Sequence, residues 1–281
     1  MESRATTQPA TRTAPSLVSL AFGRTRVELL QFFRQPEQVF FTFLLPVLFV
    51  VIFGTIFSDE IEGPAGVEPV PFSQYFAAGM IAAGIMSVTF ASLASTVSME
   101  QHDGTLKRLA GTPLPRSAYF AGKIGLALTT AVAQVIIILA IGVTFYDMSL
   151  PSEPGLYGLF AVVFLLGVAS CSLLGITYTR LIKSANSAPA VVQPPFLILM
   201  FISGVFFVYS MIPAWLQGVA SVFPLKWMVQ GMRQVFLPDW VATEDYGGSW
   251  QTEWVLVVLV AWLVASFLIA RFTFRWDRSG G

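Results

Sequence analysis

Glu100-Gln-His-Asp-Gly-Thr-Leu-Lys-Arg-Leu-Ala-Gly-Thr-Pro-Leu-Pro-Arg116 is a short charged segment caught between two long apolar runs, 75–97 and 120–146. Asp103 is placed to cap a helix beginning near Thr105, because a carboxylate there accepts from the orphan N–H groups of a first turn. Pro113 and Pro115 must end that helix, since proline lacks the donor and clashes with the turn before it. Leu106 and Leu109 give it one small apolar edge beside Lys107 and Arg108. Too short to be a domain, the segment reads as a loop on the aqueous face of a membrane protein. It is either a plain connector or a helix on which something docks, and only docking explains leucines left exposed.

Composition puts the flanking sequence in lipid. Hydrophobic residues make up 55% and charged residues 11% of 281, whereas soluble domains carry about 25% charged residues. Runs at 39–57, 75–97, 120–146, 156–178, 190–208 and 254–270 approach or exceed the ~17–25 residues that cross the hydrocarbon as a helix. Pro194-Pro195 predicts a kink or partial unwinding early in the fifth run, and Pro46 a bend in the first. A static kink is one reading of these sites and a moving hinge the other. Cys171 lies in an apolar run and, as the single cysteine, reads as a packed thiol.

Charge orients the spans. Arg4, Arg12, Arg24, Arg26 and Arg34 precede the first run; Lys107, Arg108, Arg116 and Lys123 follow the second; Arg180 and Lys183 follow the fourth; Arg271, Arg275 and Arg278 follow the last. These are 14 of the 16 basic residues, all on one side. By the positive-inside rule that side, with both termini, is cytoplasmic. The opposite loops hold Lys226 and Arg233 among many acidic residues, including Asp59, Glu60, Glu62, Asp239, Glu244 and Asp245.

The same sorting decides the segment 211–237. Counting it as a crossing would put the C-terminal arginines outside, and it carries Lys226, Arg233 and a central Pro224, each unfavourable in lipid. Two short half-helices starting near Pro213 and Pro224 fit better. They would dip in from the outer face without crossing.

Residues 1–15 read as a disordered cytoplasmic tail rich in Thr, Ala, Pro and Arg. Over 16–36 a helical wheel places Val18, Ala21, Phe22, Leu29, Phe32 and Phe33 on one face, and Arg24, Glu28, Gln31, Arg34 and Gln35 on the other. Such a helix lies in the membrane interface, apolar face down; the alternative is a helix packed on protein. The expected fold class is therefore an all-α integral membrane protein. It has an N-terminal amphipathic helix, a six-span unit over 37–278 with its loop at 99–116, and two short outer re-entrant helices.

No span core holds an ionisable residue; Lys123 and Arg271 sit near cytoplasmic ends, where their stems can snorkel. Ion-coupled carriers normally need buried ionisable groups. A lone His102 makes no metal site, so no metal and no catalytic residue is assigned. Gly122-Lys123 is followed by Ile124 and is not a phosphate loop, so the chain is not expected to hydrolyse ATP. Nothing in it points to nucleic acid. Ser87, Thr89, Ser92 and Ser95 line the second run beside Gly79, Ala82, Ala83 and Gly84. Hydroxyls there glue helices together or face a passage, and a passage would add Phe196 and Met200 of the fifth run.

Glu100-x3-Gly-Thr-Leu-Lys-Arg-Leu-x2-Thr-Pro-Leu-x4-Tyr-x2-Gly-Lys123 resembles the loop after the second span of type-2 ATP-binding-cassette exporter permeases. Ile202-Ser-Gly-Val-Phe-Phe-x5-Pro-x-Trp-Leu…Phe-Pro-Leu-Lys-Trp-x3-Gly-x-Arg233 is similar to that family's fifth-span and outer re-entrant signature. With six spans and the N-terminal helix, the resemblance covers nearly the whole chain. It implies that Glu100, Gly104, Thr105, Leu106, Lys107, Arg108, Leu109, Thr112 and Pro113 belong to a coupling helix seated on a separate cytoplasmic ATPase. Phe22, Arg26, Leu29, Phe33 and Arg34 would belong to the connecting helix beside it. Gly204, Phe206, Phe207, Pro213, Trp215, Leu216, Pro224 and Trp227 would form the outer gate and re-entrant helices.

The resemblance further implies two permease chains and two ATPase subunits in a bacterial cell membrane, with ATP and Mg in the ATPase and no cofactor in this chain. The subgroup it looks most like is the drug and lipid exporters, such as daunorubicin-resistance permeases; polysaccharide or teichoic-acid exporters are the alternative. A carrier working without ATP and a non-transporting scaffold are more distant readings. The outer loops are short, which disfavours members with large extracellular domains.

Overall fold

Six helices are long and apolar enough to cross a membrane: Pro36–Ile56, Phe72–His102, Arg116–Phe145, Pro154–Leu181, Ala185–Ile202 and Thr252–Phe272. They belong to a computed structural model that describes residues 16–57 and 60–273; the tail at 1–15, Asp59, Arg275 and Arg278 lie outside the described residues. In chain order the helices are α1 (Leu17–Phe33), α2 (Pro36–Ile56), α3 (Phe72–Met86), α4 (Ser92–His102), α5 (Thr105–Ala110), α6 (Arg116–Phe145), α7 (Pro154–Tyr178), α8 (Ala188–Ile202), α9 (Ala214–Ala220), α10 (Pro224–Phe236) and α11 (Thr252–Thr273). Six alternating crossings put α1, α5 and the turn at 179–187 on one face, here the loop face. The connections after α2, α6 and α8 share the far face.

The second span is the centre of the bundle. In it 89% of the apolar stretch is buried, against 11% in the first span and 17% in the sixth. Small residues permit that centrality: Gly79, Ala82, Ala83 and Gly84 are buried among α6, α10 and the end of α8. The first and sixth spans leave Phe40, Phe41, Val257 and Phe267 exposed on protein, as helices facing lipid do.

A π-helical turn, Ser87–Ala91, interrupts the second span between α3 and α4. The sequence gives no sign of it. Gly175 of α7 lies directly against the bulge: a Cβ there would stand 2.9 Å from the Phe90 carbonyl oxygen and 3.0 Å from that of Thr89. Only glycine lets the two helices meet at this point.

Several expectations are corrected. Pro194 and Pro195 do not unwind α8, which runs unbroken through both; α2 is also continuous through Pro46, as a bent helix would be. Proline at 195 leaves the Val191 carbonyl without its helical donor, and the Tyr178 hydroxyl supplies one at 3.3 Å. The fifth span stops at Ile202, not at 208, because Gly204 takes φ +75° and turns the chain. The far face is not all helical: Glu60–Ile61 pairs antiparallel with Val70–Pro71. Two separate short helices, α9 after Pro213 and α10 from Pro224, occupy the segment between the fifth and sixth spans.

In α1 protein covers part of each face of the helical wheel. Glu28 and Phe32 are the buried residues and Arg24 is largely covered, while Val18, Phe22 and Phe33 are exposed. Arg24 and Glu28 pack against α6, Gln31, Arg34 and Gln35 stay exposed, and the apolar face is uncovered at Val18, Phe22 and Phe33.

Candidate functional site

On the loop face the chain gathers an ion cluster from three elements. Lys123, in the second turn of α6, is fully buried and donates to Glu28 of α1 at 2.7 Å and to Glu100 of α4 at 2.6 Å. Arg24 pairs with Glu28 one turn away, and the Tyr119 hydroxyl donates to Glu100 at 2.6 Å. Two carboxylates and two cations balance, which a buried ionic site requires. Lys123 therefore does not snorkel, because α1 covers it and supplies a carboxylate.

The cluster stands at the base of α5. After His102 the chain turns through Gly104 at φ +79°, a left-handed conformation that favours glycine. The Thr105 N–H then donates to the Asp103 carboxylate at 2.9 Å. Burial raises the Asp103 pKa, but hydrogen bonds from Thr105 and the charge of Arg108 outweigh it and hold the carboxyl below its ordinary value. Leu106 is fully buried, so it anchors the helix to its own protein and is not an exposed docking residue. Lys107, Arg108, Thr112 and Pro113 are exposed and Leu109 is half-buried. The outward surface of α5 is thus basic with one partial leucine.

Beside the cluster lies an open groove of about 870 Å3. Glu28 and Glu100 form part of its wall, with Ser87, Ser92 and Ser95 of the second span and Gln193 of α8 opposite α2 residues such as Phe41 and Thr42. Three of the hydroxyls suggested as a passage lining therefore face open space. Thr89 does not: it is buried and donates to the Ile85 carbonyl of its own helix at 2.6 Å. Phe196 and Met200 are buried in the core and do not line the groove. In α1, Arg26, Phe22, Phe33 and Arg34 are exposed and Leu29 is half-buried; Arg34 lines the groove's rim.

The far face is organised by α10, which is buried among α3, α7 and α11. Arg233, fully buried, bonds the Gly204 carbonyl, lies 3.5 Å from Asp245 and sits over the Tyr75 ring at 3.6 Å. Gln74 of α3 donates to the Phe236 carbonyl at 2.5 Å, and Gln230 donates to the Ser249 and Trp250 carbonyls. Lys226 is buried beside the rings of Trp227, Tyr246 and Tyr209, at 3.8, 4.6 and 5.4 Å, and bonds Gln230. Burial pushes its pKa down to about 8; Asp245 opposes this shift and Arg233 adds to it.

The remaining far-face residues divide by burial. Phe206 is buried and meets the rings of Phe49, Phe53, Phe76 and Phe201 at 4.8–6.1 Å. Pro224 and Trp227 are buried; Phe207, Pro213 and Trp215 are exposed, and Leu216 is half-buried. Sequence reasoning missed the roles of Glu28, Lys123, Tyr119, Asp245 and Tyr75, each of which has a partner at least 12 positions away in the chain.

The model of the ABC-2 type transporter family matches residues 24–237, which take in the ion cluster, the groove and α10. The chain is 23% identical over 227 residues to the inner membrane transport permease YadH of Escherichia coli, covering 79% of this chain and 81% of that protein. It is 29% identical over 178 residues to the probable multidrug ABC transporter permease YbhR of the same organism, covering 63% of this chain and 45% of YbhR. It is 24% identical over 221 residues to the putative transport permease ycf38 of Porphyra purpurea, covering 77% and 74%. With six apolar crossings and a family match over three-quarters of its length, this multi-pass membrane chain belongs to the ABC-2 type transporter family of transport permease subunits, which are not themselves enzymes and associate with an ATP-binding-cassette subunit.

Proposed function

We propose that this chain is the transmembrane subunit of an exporter that moves an amphipathic drug- or lipid-like molecule out of a bacterial cytoplasm. A separate ATPase, docked on α5, supplies the energy. The observation that carries the reading is the ion cluster: Glu100, at the base of α5, is fastened through Lys123 to α6 and to Glu28 of α1. A push on α5 therefore reaches the second span, the third span and the N-terminal helix together. The same two carboxylates line the groove, so a ligand there and a partner on α5 act on one set of contacts. Coupling needs such a difference in contacts between two states.

The loop face is cytoplasmic in this reading, because the described basic residues collect there. The exposed Val18, Phe22 and Phe33 of α1 lie in the membrane interface, and α9 and α10 form the outer re-entrant pair. Two permease chains and two ATPases make the working unit, with ATP and Mg in the ATPases. The similarity to YbhR and YadH, named as a probable multidrug permease and an inner membrane permease, supports a drug-like cargo and the inner membrane over a polysaccharide exporter.

Substituting the outward surface of α5, Lys107→Glu with Arg108→Glu and Leu109→Ser, tests the docking. These side chains are not part of the buried core, so membrane insertion and thermal stability should stay near those of the unmodified chain. Substrate-stimulated ATP hydrolysis by the co-purified complex should fall at least tenfold. Unchanged stimulation would place the docking surface elsewhere.

A further inference from the structure

On the far face a pocket of about 450 Å3 opens between the end of α2, the two-strand ribbon and the turn after α8. Its size is that of a small-molecule site. Aromatic rings form its walls: Phe57, Phe72, Phe206 and Phe207. Phe206 has its other contacts in the phenylalanine cluster below, so the pocket sits directly above the segment that would gate the passage. Its polar part is Glu60, Glu62 and Glu244. Among the described residues no basic side chain lines it.

The two basic residues of this region are both committed elsewhere: Lys226 lies among Trp227, Tyr246 and Tyr209, and Arg233 on Gly204, Asp245 and Tyr75. Among the described residues none of the three carboxylates has a cationic partner; Glu244 accepts only the Ser210 hydroxyl, at 2.6 Å. Aromatic faces and unpaired carboxylates attract the same kind of ligand, a lipophilic cation, through ring quadrupole and charge. An anionic ligand of the same shape meets repulsion there.

We infer that this pocket binds lipophilic monocations, such as aromatic amines or quaternary ammonium compounds, on their way off the far face. The inference rests on the exporter reading for its direction but not for its chemistry. It narrows the cargo from amphipathic molecules in general to those carrying one positive charge. An acid group on the ligand should abolish binding.

Met211, 76% exposed at the pocket, becomes the reporter in a Met211→Cys variant of the full chain in lipid nanodiscs. Cys171 is fully buried and stays silent. Modification rates are read with a trimethylammonium and a sulfonate thiosulfonate reagent, each normalised to a small free thiol. Two exposed carboxylates and the half-buried Glu244 should favour the cationic reagent by about tenfold. Tetraphenylphosphonium should slow the labelling, and tetraphenylborate, its sign-reversed counterpart, should not.

In Glu60→Gln/Glu62→Gln/Glu244→Gln the rate ratio should approach one and the protection should vanish. The Glu60→Gln/Glu62→Gln pair, which leaves the Ser210 bond intact, should lose part of both and serves if the triple variant is unstable. Equal protection by the two probes, no protection, or undiminished protection in the triple variant would overturn the inference. Because the ATPase is absent from this assay, its failure would leave the test of α5 docking untouched.

Discussion

Lys123→Met should lower the stability of the chain by roughly 3–5 kcal/mol, the usual consequence of removing one partner from a buried ion pair. Among the described residues Lys123 is the only cation that reaches both Glu28 and Glu100, and it has no exposed surface. Arg24 still pairs with Glu28, so the uncompensated charge falls on Glu100, which keeps only the Tyr119 hydroxyl. Thermal unfolding in detergent and accumulation in the membrane both report the loss.

The double variant Glu100→Gln/Lys123→Met restores charge balance. It should recover most of the stability while leaving ATP-stimulated transport impaired, since α4 and α1 are no longer joined through α6. A single Lys123→Met variant as stable as the unmodified chain would mean that the cluster does not form. Full transport in the double variant would mean that it forms but transmits nothing.

Arg233→Met should be comparably damaging on the far face. It strands Asp245, which is 7% exposed, and leaves the Gly204 carbonyl without its donor. It also removes the planar contact over Tyr75 at 3.6 Å. We expect a loss of roughly 3–5 kcal/mol, again from an orphaned buried charge. Arg233→Lys should rescue little, because an ammonium cannot serve the carbonyl, the carboxylate and the ring face from one plane. Adding Asp245→Asn to Arg233→Met removes the stranded charge and should return part of the stability. If Arg233→Lys folds and unfolds like the unmodified chain, the guanidinium is not the pin that holds α10 to the end of α8.

The parts legible in the sequence were those set by short-range physics. Spans follow from apolar length, and each of the six overlaps its apolar run, although the fifth ends at Ile202. Pro213 and Pro224 mark the starts of α9 and α10 because proline suits a first turn. Asp103 accepts from the first N–H of α5, two residues on, although Gly104 holds the N-cap position.

What stayed hidden depends on neighbours distant in the chain. Lys123 looked like a snorkelling residue until Glu28, 95 positions earlier, covered it. Leu106 looked like an exposed edge until the bundle buried it. Pro194 and Pro195 suggested a kink or partial unwinding, but α8 stays wound, with the Tyr178 hydroxyl as a substitute donor to Val191. The π turn at Ser87–Ala91 answers to the close approach of Gly175, and no local pattern announces it. Within the site, the serines at 87, 92 and 95 were readable as polar residues on an apolar helix. Which of them face a groove is decided by the turn of that bulge.

The central claim is that the energy for transport comes from a separate subunit through α5. Proteoliposomes containing this chain, with and without its co-purified ATPase, test it most directly when loaded for flux of a lipophilic cation. Flux is expected only with the ATPase and ATP present, and ATP hydrolysis should rise when the cation is added. Flux by this chain alone, driven by an ion gradient and indifferent to ATP, would contradict it.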